Sequence, residues 1–154
     1  DQIGADGLDY LATLPFTRRI APPGASSPDH ELLIIHANPL NLTDRITPDM
    51  SDRELSERIG DTRAGAIVFG HYHVCFVRQF GDMLLVDVSA VGNPKDGDLR
   101  CKYGILAWDE AATRWSAELR KLPYPLEATE AQVRASSIPS PESVIAKLKR
   151  ASYA

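Results

Sequence analysis

Leu8, Leu11 and Leu14 recur at helical spacing, so residues 4–14 read as a short amphipathic helix closed by Pro15. Residues 21–29, APPGASSPD, carry no period and form a Pro/Gly/Ser loop. In Glu31–His36, ELLIIH, the apolar run is short and unbroken, as in a strand buried on both faces. The stretch NPLNLTDRITPDM that follows is irregular. Ser51 with Glu54 three residues on forms a capping box, and Leu55 and Ile59 give a helix over about 51–59 one apolar face. Ala66–Phe69, AIVF, repeats the buried-strand pattern. A helix between two such strands predicts a βαβ crossover, and with it a partly parallel sheet with covered faces.

Beyond residue 73 the period changes to two. Val74–Phe80 and Met83–Val88 flank Gly81-Asp82, a two-residue hairpin signal. Tyr103–Asp109 and Arg114–Leu119 flank a second turn, and Trp115, Ala117 and Leu119 alternate with polar residues as in a strand with one wet face. Two helices are expected in the tail. Ser140-Pro141-Glu142 opens the second, with a capping Ser, a first-turn Pro and a carboxylate at the positive end of the dipole.

The 154 residues are 44% hydrophobic and 25% charged, which fits one α/β domain with a real core. No apolar run of about 18 residues exists to span a membrane. A net charge of −4 argues against broad nucleic-acid binding. Cys75 and Cys101 form no CxxC and read as buried, reduced thiols of a cytoplasmic protein.

Three of the four histidines end apolar strands: His36 closes ELLIIH, and His71 and His73 follow AIVFG. Ligands of open α/β sheets collect beyond the carboxyl ends of strands. In regular strand the two histidines of H-x-H would share one face, and Gly70 lets the backbone turn sharply before them. Imidazoles suit Zn, Fe, Mn or Ni. A lone H-x-H is more often a surface pair; the buried strand and the second strand-end His shift the reading toward a metal site. His30 lies in a polar loop and reads as exposed.

At GHYH the sequence meets a known family. The run from Ala66 to Leu106 resembles the C-terminal part of calcineurin-like metallophosphoesterases, especially small bacterial phosphodiesterase-type members. LLIIHANP is similar to that family's other strand-end His motif, and the resemblance covers roughly residues 8–120. It implies a metallophosphoesterase-type β-sandwich flanked by helices, of which this chain is the C-terminal part: residues 1–126 in the domain, 127–154 a helical extension. It further implies two divalent metals (Mn, Fe, Zn or Ni), with His36 and His71 on one and His73 on the other. The implied reaction is hydrolysis of a phosphomonoester or phosphodiester by a metal-bound hydroxide.

The family's D-x-H, G-D-x-x-D and G-N-H motifs are absent. The bridging carboxylate and the proton donor are therefore expected in a missing N-terminal segment of the same protein. Alone, the chain is expected to hold at most one weakly bound metal, and to aggregate or homodimerise through the apolar faces of ELLIIH and AIVF. The resemblance also departs in places: Tyr72 stands where the family often has a small hydroxyl residue, and DVSAVG replaces the common NPGSVG. Tyr72, Arg45 and Lys95 are the candidates for contacting a phosphate-ester small molecule, with Arg100 beside Lys95. Trp108 and Trp115 read as packing residues, and Lys147, Lys149 and Arg150 as a solvated helix face. The rival reading is a non-catalytic binding module of the same fold. A lone structural Zn site is weaker, since it needs a fourth ligand.

Overall fold

The computed structural model describes residues 3–153, leaving Asp1, Gln2 and Ala154 at the outer ends of the two expected regions outside the description. Helix α1 (Gly4–Ala12) leads into strand β1 (Arg18–Ile20), and a short 3-10 turn precedes β2 (Leu32–Ile34). Helix α2 (Asp52–Ile59) connects β2 to β3 (Ala66–Phe69), and the hairpin β4 (Phe76–Phe80) and β5 (Met83–Asp87) follows. The long hairpin β6 (Cys101–Asp109) and β7 (Arg114–Leu122) precedes helices α3 (Leu126–Ala135) and α4 (Pro141–Arg150). Among the described residues no helix is long and apolar enough to cross a membrane.

One sheet has the order β1-β2-β3-β5-β4, and β6-β7 form a separate two-stranded ribbon. β2 runs parallel to β3, as the crossover predicts, and β3 parallel to β5. The carboxyl ends of β2, β3 and β5 therefore lie on one edge.

Helix α2 is built as the sequence predicts. The Ser51 side chain accepts from the Glu54 N–H at 3.3 Å, and the Glu54 carboxylate accepts from the Ser51 N–H at 2.7 Å. Its apolar face, Leu55 and Ile59, packs with Leu33, Ile46, Ile67, Phe69 and Leu85 into the core. At Gly60, φ is +59°, a left-handed stop that only glycine adopts cheaply. Five residues on, Gly65 makes a close approach: a Cβ there would meet the Asp29 carbonyl at 2.6 Å and Trp115 at 3.0 Å. Any side chain at Gly65 would force the 29–30 backbone or Trp115 to shift.

The ribbon's alternation holds, with Trp115, Ala117 and Leu119 half-buried and their neighbours exposed. Trp108 and Trp115 pack with ring centroids 5.5 Å apart. Lys102 is fully buried, with its ammonium 2.9 Å from Asp96 and donating to the Asp98 and Arg100 carbonyls at 2.6 and 3.1 Å. Its three protons thus have three acceptors. Lys147, Lys149 and Arg150 are exposed, as expected of a solvated helix face, and the Lys149 ammonium lies 2.9 Å from the buried Glu130.

Several local expectations are corrected. The ELLIIH strand is covered only in part: Leu32 and Leu33 are buried, but Ile34 is exposed. α1 forms, yet none of its residues is buried, and Leu8 and Leu11 stay exposed. His30 is half-covered rather than exposed, its ring 5.6 Å from that of Trp108. Both cysteines are free but half-buried rather than buried, the Cys75 thiol donating to the Asp96 carboxylate and the Cys101 thiol to the Leu122 carbonyl. Ser140 does not cap α4; its own backbone is left-handed and its side chain makes no cap bond.

Candidate metal centre

The backbone ladder continues just past the strand ends and fixes where the histidines start. The Gly70 N–H donates to the His36 carbonyl at 3.0 Å, and the Val88 N–H to the Phe69 carbonyl at 3.0 Å. His71 and His73 are not in regular strand, so the two-residue period does not pair them. Both have left-handed backbones, φ 65° and 61°, as does Ser89 at 63° on the adjacent strand end. His71 is the centre of a three-residue turn closed by the Tyr72 N–H on the Gly70 carbonyl at 2.7 Å. Left-handed non-glycine residues cost roughly 1–3 kcal/mol each and persist where surrounding contacts enforce them.

Those contacts are visible. The Ser89 hydroxyl donates to the His73 carbonyl at 2.9 Å, and the Lys95 N–H donates to the same carbonyl at 2.8 Å. His73 Nδ1 lies 2.7 Å from the Asn93 carbonyl. A carbonyl only accepts, so Nδ1 carries the proton and Nε2 keeps the lone pair. His71 is held the other way round: its Nε2 lies 2.9 Å from the Thr43 carbonyl, so Nε2 is protonated and Nδ1 holds the lone pair. That Nδ1 faces His36 Nε2 at 3.0 Å. Burial, then the neighbouring His71 and His73, hold the His36 imidazole below its ordinary range, which keeps it neutral and able to ligate.

The Thr43 carbonyl is delivered by a loop whose keystone the sequence reading missed. Asn38, fully buried, accepts from the Leu40 and Asn41 N–H groups at 2.7 and 2.9 Å and donates to the Asp44 carbonyl at 2.6 Å. The signal was there in His-Ala-Asn-Pro-Leu-Asn, an Asn able to cap its own turn. Also missed was Asp87, buried at the end of β5. One carboxylate oxygen accepts from the Ser89 N–H at 2.6 Å and the other has no partner among the described residues. Burial pushes its pKa up to about 8 against the pull of that N–H.

His36 and His71 are thus brought together, with His73 close by. A cation between the first two would have to replace the 3.0 Å hydrogen bond that now joins their facing nitrogens. Among the described residues no group of three or more His, Cys, Asp and Glu side chains could hold a metal.

Arg45 and Tyr72 also meet, the guanidinium 5.3 Å from the ring centroid. Together with Thr47, Asp49, Glu54 and Arg58 they line a polar cavity of about 360 Å³. Lys95 joins the site only through its backbone bond to His73. Arg100 is occupied, its guanidinium forked onto Asp98 at 2.7 and 3.0 Å. A groove of about 610 Å³ lined by Leu11, Leu14, Phe16, Ile34 and Leu42 opens onto His36. A further cavity of about 680 Å³ includes His30 and Trp115 and none of the other three histidines.

No family profile matches the chain, and no curated protein matches it. Solved structures do. A metallophosphoesterase from Sphaerobacter thermophilus superposes with a TM-score of 0.70 at 22% identity, over 97% of this chain and 64% of that one. A hypothetical protein from Pyrococcus horikoshii OT3 gives 0.71 at 16% identity, over 99% of this chain and 57% of that one. The chain has a metallophosphoesterase-like fold and spans under two thirds of the length of either protein.

Proposed function

We propose that this chain is the metal-binding C-terminal part of a phosphoesterase that hydrolyses phosphomonoesters or phosphodiesters. The observation that carries the reading is the approach of His36 Nε2 to His71 Nδ1 on the shared strand edge, 3.0 Å apart. His36 and His71 hold one divalent cation, after the His36 proton moves to Nδ1. His73, with Nδ1 tied to a carbonyl, offers Nε2 to a second. Bound cations (Mn, Fe, Zn or Ni) would supply Lewis acidity toward the phosphate and lower the pKa of a bound water. Arg45, held against Tyr72, places a bidentate donor for phosphate oxygens, and Lys95 adds charge from the loop after His73. The carboxylate donors and the proton donor belong to a preceding segment that covers the apolar groove beside His36.

The second reading, a binding module of the same fold, draws support from His71, whose two ring nitrogens are both in hydrogen bonds. Metal analysis of the protein at its natural length, with hydrolysis of bis-para-nitrophenyl phosphate in Mn²⁺, separates the two. The enzyme reading expects bound metal and a loss of roughly 100-fold or more in turnover for His71→Ala. Arg45→Ala would raise KM more than it lowers kcat. Absence of metal and turnover in the unmutated protein leaves the binding module.

A further inference from the structure

We propose that the end of the chain is a positioning strap for the histidine turn, with Tyr153 as its latch. The proposal rests on the reading of His71 and His73 as ligands.

α4 ends in Ala151, buried and left-handed at φ 47°, which turns the chain back toward the sheet. The Gly97 N–H donates to the Ala151 carbonyl at 2.8 Å, and Ser152 forms an antiparallel bridge with Asp96. Tyr153 then stacks on Tyr72, centroids 5.2 Å apart and planes 15° from parallel, and its hydroxyl donates to the Tyr72 carbonyl. Tyr72 is the residue between the two left-handed histidines. The 96–97 segment gripped by the strap adjoins Lys95 and Asn93, whose backbones bind His73. The strap therefore holds both walls of the strained turn, the Tyr72 peptide directly and the His73 carbonyl and ring through the loop.

A left-handed, hydrogen-bond-enforced turn relaxes when an enforcing contact is removed, and ligand nitrogens move with it. Tyr153 is about half exposed, so its truncation leaves no core cavity. Tyr153 is a positioning residue: it touches neither of the candidate ligand rings.

The test uses the protein at its natural length, Mn²⁺ as the probe, and three variants. For Tyr153→Ala, Mn²⁺ affinity by calorimetry should fall roughly tenfold, the lower end of what outer contacts to metal ligands contribute. Amide exchange should rise in peptides covering 70–75 and 93–97, while the thermal midpoint stays unchanged. Tyr153→Phe keeps the stack and should recover most of the affinity. Tyr103→Ala, on the exposed face of β6, should change nothing. Wild-type affinity and exchange in Tyr153→Ala would overturn the strap, as would an exchange increase spread evenly over the sheet. If the unmutated protein binds no Mn²⁺, the ligand reading falls, and local exchange alone decides whether the strap holds the turn.

Discussion

The two flanks of the main sheet contrast sharply. On the crossover side, Leu55, Ile67, Leu85 and Val86 have no exposed surface, and α2 is capped at one end and stopped by a left-handed glycine at the other. On the β1 side, α1 buries nothing, β1 is exposed throughout, and Leu14, Phe16, Ile20 and Ile34 remain 51%, 44%, 45% and 37% accessible. The same residue types occupy both flanks. A helical period of leucines predicts a helix but says nothing about whether a partner exists for its apolar stripe. The crossover carries its own partner, since its helix lies between the strands it covers.

Three variants sharpen the contrast. Leu55→Ala should cost about 2–5 kcal/mol, because the site is sealed and a cavity remains; chemical denaturation checks it, and a loss under about 1 kcal/mol would deny the packed core. Asp87→Asn should act through pH. The folded carboxyl titrates near 8 and the unfolded one near 3.8, so its stabilising contribution is complete below about 4 and is lost as pH rises toward 8. The Asn variant should therefore gain stability over the natural protein at pH 8.5 and little at pH 4, read from unfolding midpoints at both. Equal pH slopes would refute the buried, unpaired oxygen. Leu11→Ser with Leu14→Ser should be smallest, within about 0.5 kcal/mol, as for exposed positions. Their larger readout is association: light scattering of this chain should show less self-association if the groove beside His36 is sticky, and no change would leave that flank inert.

Much of the fold was legible because the cues were local. Ser51 and Glu54 announce α2, AIVF marks β3 to the residue, and Gly81-Asp82 sets the β4–β5 register, with Phe80 opposite Met83. β1 was not legible: Arg-Arg-Ile has no period and becomes a strand only by pairing antiparallel with β2. At the site, residue types and strand-end positions could be read, so His36, His71 and His73 were found. Their backbone conformation could not, since it is imposed by Ser89, Asn93 and Lys95, some twenty residues downstream. Tyr153 lay further out of reach, because stacking across 81 residues leaves no mark on either segment.

Lys102 gives the ribbon a chemical clock. Acylating reagents attack a neutral, solvated amine, and this side chain has no accessible surface and no unclaimed proton. It should be the last lysine of the chain to react, and only when the 96–100 loop lifts from the β6–β7 hairpin. Its labelling rate then counts openings of the loop whose upstream residues fix His73, reporting on the histidine turn without a metal, a substrate or a mutation.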